Sequence, residues 1–192
     1  MSAAAAVPGL IIRGAQEADL PAVVRLFATP DDGNLKNEDP SSPLPPCYAE
    51  ALASIAADPN NALLVAEIAG EVVGAFHLHI LQYVANRGGR VALIENVIVD
   101  PAQRGRGVGE AMMRWAIDEA RRRGCFRVQL TSNKVRKRAH RFYAETLGLS
   151  FEVEDFEHGY LQARLPGDVE LVFLPGDAPR GASPQVVFGL EK

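Results

Sequence analysis

Hydrophobic residues along this chain keep two different rhythms. Between Glu17 and Ala28 (EADLPAVVRLFA), Leu20, Val23, Val24 and Phe27 recur at helical spacing, which predicts an amphipathic helix. CYAEALASIAAD (47–58) predicts a second, closed by Asp58-Pro59. A third helix runs to Arg123, with Val108, Ala111, Met112, Trp115 and Ala116 in one stripe that Met113, Ile117 and Ala120 widen. On its far side Glu110, Arg114, Asp118 and Arg122 follow at intervals of four with alternating sign, so an outer face of favourable pairs is expected. Arg121, Arg122 and Arg123 suit the negative end of the helix dipole, and Gly124 supplies the stop. RKRAHRFYAETLG (136–148) predicts a fourth helix, again ending on glycine.

The other rhythm is that of strands: alternation, or short continuous apolar runs. GLIIRGA (9–15), ALLVAEIAG (62–70) and EVVGAFHLHILQYV (71–84) fit it, the last two joined tightly around Ala69-Gly70 as a hairpin. RVALIENVIVD (90–100) is the most strand-like segment and ends at Pro101, and CFRVQLT (125–131) follows the third helix. Strand signals return in SFEVEDF (150–156), GYLQARL (159–165) and VELVFL (169–174). The last two flank Pro166-Gly167-Asp168, a hairpin turn. Helices and strands interleave with hairpins as well as crossovers, so the fold class is α/β of the mixed α+β kind. TPDDGNLKNEDPSSPLPP (29–46) is a loop of a length that usually serves function or motion.

Composition narrows this picture only slightly. The 192 residues suit a single domain spanning 1–192, with 166–192 an extra hairpin or a dimerisation extension. An apolar strand such as PQVVFGL (184–190) at a sheet edge invites a second chain, hence an expected homodimer. Apolar residues at 47% and charged ones at 23% are ordinary for a soluble protein, and no apolar run reaches the ~20 residues of a membrane span. MSAAAAVPGL lacks the basic start of a signal peptide, and Cys47 and Cys125 form neither a metal spacing nor a disulfide framework. A cytoplasmic home, no metal and no membrane partner are the expectations. Lys134, Arg136, Lys137, Arg138 and Arg141 crowd into eight residues beside Phe142 and Tyr143. With a net charge of −4 and no reader motif, no nucleic-acid partner is expected.

DPAQRGRGVGEAMM (100–113) changes the picture most. Its glycines lead straight into a helix, where unpaired N–H groups and the positive dipole end await an anion, and Arg104 and Arg106 add charge. That is the physics of a phosphate or pyrophosphate cradle. A P-loop is excluded by spacing and by the missing Lys-Ser/Thr pair. A dinucleotide fingerprint is excluded because Glu110 takes the place of its third glycine and Gln129 that of its acid. A glycine-rich turn without a ligand stays open on the loop alone.

The surroundings add a resemblance. RGRGVG from Arg104 matches R-x-x-G-x-G. With IENVIVDP (94–101), GCFRVQL (124–130) and AHRFYAETLGL (139–149), the span 91–149 resembles the GNAT superfamily of acetyl-CoA-dependent N-acyltransferases. The resemblance extends to residues 9–165 through the order of the preceding elements. It implies a central, largely antiparallel sheet flanked by helices, and acetyl-CoA as the acyl-donor cosubstrate. It further implies that the backbone of Val97, Ile98 and Val99 pairs with the pantetheine arm, with the Val97 N–H polarising the thioester carbonyl. Amides from Arg104 through Gly105, Arg106, Gly107 and Val108 to Gly109 would hold the pyrophosphate, and Tyr143 would sit near the sulfur. Many members carry Asn seven residues before that tyrosine. This chain has Arg136 there and Asn133 upstream, and either could meet coenzyme A.

The chemistry asks for matching groups. Acetyl transfer to an amine develops an oxyanion that needs an oriented donor, and the amine attacks only when unprotonated. A neutral tyrosine can donate to the leaving thiolate, so Tyr143 is a sensible acid; packing in a helix stripe is its rival role. Glu95, in an otherwise apolar run, is the candidate base or else the partner of an arginine. His77 and His79 share one strand face and either reach the acceptor pocket or lie in solvent, while His140 and His158 stay unassigned. The expected activity is acetylation of a primary amine on a small molecule. A non-catalytic acyl-CoA sensor and a protein- or peptide-directed acetyltransferase are the alternatives. Asp31, Asp32, Glu38 and Asp39 in the early loop, with Glu152, Glu154, Asp155 and Glu157, oppose a cationic cofactor side. That polarity suggests a cationic acceptor rather than an amino sugar phosphate.

Overall fold

The computed structural model describes residues 7–29 and 38–130, and the backbone of the strands at 150–152, 161–165 and 169–173. Five strands form one sheet in the order β1 (Leu10–Gly14), β2 (Asn61–Ile68), β3 (Glu71–Gln82), β4 (Arg90–Val99) and β5 (Cys125–Leu130). All neighbours are antiparallel except β4 and β5, which run parallel. A second sheet holds β6 (Ser150–Glu152), β7 (Leu161–Leu165) and β8 (Val169–Phe173) in that order, and the β7–β8 pairing bears out the expected hairpin across Pro166-Gly167-Asp168. The architecture is thus the mixed α/β arrangement expected from the two rhythms.

Helices cover both faces of the five-stranded sheet. On one side lie α1 (Leu20–Ala28) and α2 (Cys47–Ala57), with Val23 and Leu26 packed against Leu63, Val65, Ala75 and Ile98, and Leu52 and Ile55 of α2 joining them. On the other, α4 (Val108–Arg122) buries Val108, Met112, Met113, Ala116, Ile117 and Ala120, most of them against Phe76, Leu78, Ile94, Val128 and Leu130. Burial of each large side chain contributes about 1.5–3 kcal/mol, so the sheet is held from both sides. Gly74 shows how close α4 approaches: a Cβ there would stand 2.8 Å from Met112 Sδ and 3.0 Å from the Ile98 carbonyl.

Local chemistry explains most boundaries. The β2–β3 turn places Ala69 (φ 52°) and Gly70 (φ 84°) in the left-handed region that tight hairpins favour. The first helix starts as a 3₁₀ turn (Glu17–Asp19) rather than as α-helix, because Asp19 turns back to accept from the Gln16 N–H at 2.7 Å and from Arg13. Arg13 also grips Glu67 at 2.7 Å, which ties β1, α1 and β2 together and holds the nearly buried Asp19 carboxyl below its ordinary pKa. An irregular turn, α3 (Ala85–Gly88), joins β3 to β4 with Asn86 and Arg87 in left-handed geometry. The outer face of α4 carries the expected favourable pairs, Glu110 with Arg114, and adds pairs at three-residue spacing, Asp118 with Arg121 and Glu119 with Arg122. Gly124 (φ 71°) follows the helix end as expected.

Candidate active site

Two irregularities of the main chain build the site, and both lie at the end of β4. The first is a bulge. His77 of β3 faces Glu95 and Ala75 faces Ile98, so the single residue Phe76 opposes both Asn96 and Val97. Asn96 absorbs the extra length with φ 53°, a conformation that Asn tolerates better than β-branched residues do. Past the bulge the faces swap: Val97 packs on the α4 side and Ile98 on the α1 side. The second lies at Ile94, the last β4 residue with a described partner on β5: from Glu95 to Val99 the described pairing of β4 is with β3.

That edge runs directly into the glycine loop. Asp100 caps the short 3₁₀ turn Pro101–Gln103, accepting from the Ala102 N–H at 2.8 Å. Arg104 donates its Nε–H back to the Val99 carbonyl at 3.3 Å, and Arg106 donates to Gln103 Oε1 at 2.6 Å. Gly105 (φ 77°) and Gly107 (φ 85°) hold left-handed geometry, and Gly107 is the N-cap of α4. The first bond into the helix is from the Ala111 N–H to the Gly107 carbonyl, so the helix opens with unpaired N–H groups beside two guanidinium groups. A Cβ on Gly107 would meet Val7 at 3.3 Å as well as the unfavourable φ. Residues 104–109 thus form a cationic, glycine-rich start to α4, and Val97, Ile98 and Val99 lead into it. Asn133, Arg136 and Tyr143 lie outside the described residues, as do the cluster at 134–141, Asp31 and Asp32, and Glu154, Asp155 and Glu157.

On the α1 side of the bulge the register gathers polar groups. Leu63, His77 and Glu95 form one cross-strand row, and Asn61, His79 and Leu93 the next. Phe27, His77 and His79 stack nearly parallel, with centroids 5.9 and 5.8 Å apart. Asn96 Nδ2 stands 3.3 Å from His77 Nδ1, which leaves the ring proton on Nε2. Burial, with His79 nearby, pushes the His77 pKa down to about 4, so this imidazole is neutral at physiological pH. His79 Nδ1 is hydrogen-bonded to Asn61 Oδ1, and its Nε2 lies 3.7 Å from Glu95 Oε2. Both histidines are partly buried between strands and helix, which corrects the solvent-facing alternative. Among the described residues Glu95 has His79 as its neighbour, while Arg136, Arg138 and Arg141 lie outside them. Glu38 and Asp39 of the early loop both engage Tyr48, whose hydroxyl donates to Glu38 Oε2 at 3.1 Å and accepts from the Asp39 N–H at 2.8 Å.

Sequence reasoning missed Asn96 and Asn61. A polar residue after Glu95 inside a β-branched run was a usable hint of the bulge, since Asn is enriched in left-handed geometry. Asn61 carried no signal, because its role depends on a strand pairing that no local pattern reveals.

The comparisons with known proteins agree with this geometry. The model of the Acetyltransferase (GNAT) family matches residues 33–149, more than half of the chain. Aminoalkylphosphonate N-acetyltransferase of Salmonella typhimurium is 34% identical over 96 residues, covering 50% of this chain and 62% of that protein. Glucosamine 6-phosphate N-acetyltransferase 1 of Oryza sativa is 41% identical over 96 residues, covering 45% and 57%. The chain therefore spans about three fifths of the length of these curated relatives. The crystal structure of a transcriptional regulator from Bacillus halodurans superposes with a TM-score of 0.69 at 39% identity, covering 77% of this chain and 97% of that one. On the match of the family model over residues 33–149, the chain belongs to the GNAT acetyltransferase family.

Proposed function

We propose that the chain is an acetyl-CoA-dependent N-acetyltransferase that acts on a primary amine of a small molecule in the cytoplasm. One observation carries the proposal: the end of β4 runs from a carboxylate at Glu95 directly into a glycine-rich, cationic helix start at 104–109. Acetyl-CoA, when bound, supplies an acetyl group activated as a thioester. The residues present fit it. Val97, Ile98 and Val99 offer an extended backbone to an amide-bearing arm, with the Val97 N–H turned to the thioester oxygen. Arg104, Gly105, Arg106, Gly107, Val108 and Gly109 offer amides and charge to a pyrophosphate. Asn133 or Arg136 adds a further contact. Glu95 removes the proton of the acceptor ammonium, and Tyr143 returns one to the leaving sulfur.

The charge of the acceptor is the finer part of the proposal. Glu95, Glu38 and Asp39 favour a cationic amine. The names of two relatives, an aminoalkylphosphonate and a glucosamine 6-phosphate acetyltransferase, favour an amine that also carries an anionic group. A screen of amines, amino acids, aminoglycosides and peptides for acetyl-CoA consumption, with products identified by mass, tests the activity and separates an enzyme from a sensor. The salt dependence of the best acceptor then decides between the two charges. For a cation the Michaelis constant should rise as salt goes from 0.05 to 0.5 M, because exposed charges are screened over ~10 Å at 0.1 M. An anionic best acceptor, or one indifferent to salt, rejects the cationic reading. The segment 166–192 is proposed to support a homodimer, and a monomeric mass at micromolar concentration would reject that.

A further inference from the structure

Two polar side chains from two strands, His79 and Asn61, line up behind the proposed base, and a third, Asp58 from the turn before β2, ends the line. Asp58 accepts from the Asn60 N–H with one carboxylate oxygen and from Asn61 Nδ2 with the other, both at 2.9 Å. A carboxylate only accepts here, so the atom of Asn61 that meets it is the amide nitrogen. Asn61 Oδ1 is thereby turned to His79 Nδ1 and must receive a proton from it. The neutral ring of His79 carries its proton on Nδ1, and the bare Nε2 faces Glu95 Oε2 at 3.7 Å. Two acceptors confront one another with room for one proton between them.

We propose that His79 is a positioning residue for this site: fixed as the Nδ1–H tautomer by Asn61 and Asp58, it draws off the proton that Glu95 removes from the acceptor ammonium. The inference rests on the acetyltransferase reading above. Rows on the sheet set the order of events. Glu95 shares its row with His77 and lies next to the bulge, whereas His79 lies one row, roughly 7 Å, further from Val97. Glu95 therefore meets the amine and His79 stands behind it. The gap of 3.7 Å exceeds a hydrogen bond by roughly 0.7 Å, and the 40% exposed side chain of Glu95 has the freedom to close it. His77 cannot substitute, because its Nδ1 faces Asn96 and it stays neutral.

The protons balance. The ammonium gives one proton to Glu95 and attacks as the free amine, forming the C–N bond as the C–S bond breaks. The second nitrogen proton ends on the departing sulfur as a thiol. The first passes to His79 Nε2 and leaves from there to water, since 26% of that side chain is exposed. One proton is released per acetyl group transferred. Among the described residues, the groups that face His79 are His77 on its own strand, Glu95 on β4, and Asn61 with Asp58 at the start of β2. The elements packed on this face contribute Phe27 from α1 and Leu52 and Ile55 from α2, all apolar.

Two readouts test the proposal on the full chain. Long-range ¹H–¹⁵N spectra without any ligand should show neutral His79 protonated on Nδ1, and Asn61→Leu should mix the two tautomers. A wild-type ring protonated on Nε2 overturns the proposal with no variant needed. The second readout is acetylation of 2-aminoethylphosphonate, glucosamine 6-phosphate and spermidine by acetyl-CoA across pH. His79→Gln should lower kcat at pH 7 by ~10- to 100-fold with KM for acetyl-CoA unchanged, and the deficit should shrink towards pH 9.5, where the acceptor supplies its own free amine. A deficit equal at every pH marks a merely structural role and overturns the proposal alone. A wild type inactive on all three amines rejects the functional reading, and the relay with it, whatever the tautomer.

Discussion

His77 and His79 stand two residues apart on one face of β3, yet their surroundings give them different proton chemistry. His77 lies between Phe27 and His79, and burial holds its pKa at about 4, well below the ~6.5 of a free imidazole. The unfolded chain takes up a proton below pH 6.5 that the folded chain refuses until about pH 4. Stability should therefore fall as pH drops through that window, by on the order of 1–3 kcal/mol from this residue. Urea denaturation at pH 7.5 and pH 5 should show a smaller loss for His77→Gln than for the wild type. An equal loss would mean that His77 does not drive the slope. At Tyr143 the question is one hydroxyl. Tyr143→Phe keeps the ring and removes the donor, so turnover should fall ~10²- to 10⁴-fold while the melting temperature holds. Unchanged turnover would assign Tyr143 to packing.

At the level of elements, β4 and α4 work as one unit joined by the glycine loop. The bulge at Asn96 turns Val97 and Ile98 to opposite faces, and Gly107 starts the helix from a left-handed conformation. A branched side chain at Gly107 meets both a φ of 85° and Val7 at 3.3 Å. Left-handed strain of this kind costs about 1–3 kcal/mol, and the new side chain would stand at the amides offered to the pyrophosphate. Saturating acetyl-CoA, at 100 times its dissociation constant, should stabilise the wild type by about 2.7 kcal/mol, or roughly 5–10 °C in melting temperature. For Gly107→Val that increment should vanish in a thermal-shift titration. An increment that survives would place coenzyme A elsewhere.

Across the whole molecule, the sheet separates two chemistries. The α4 face is apolar over its centre and ends at the Gln82–Arg90 pair, whereas the α1 and α2 face is apolar only until the rows of His77 and His79. Helix packing on both sides therefore fixes the strands that carry the polar rows.

The sequence by itself determined the elements and the glycine-rich helix start. Apolar periodicity is local, so strands and helices at 10–14, 20–28, 47–57, 61–68, 71–82, 90–99 and 108–122 could be read to within a few residues. The glycine loop was legible for the same reason, since its left-handed turns and helix start lie within a few residues of each other. The bulge and the line from Asp58 through Asn61 and His79 to Glu95 were not. His79 and Asn61 are 18 residues apart, and they meet only because β2 and β3 pair in one register. Shifting a strand by one residue sends every side chain to the opposite face, so only the packed sheet decides which polar groups converge.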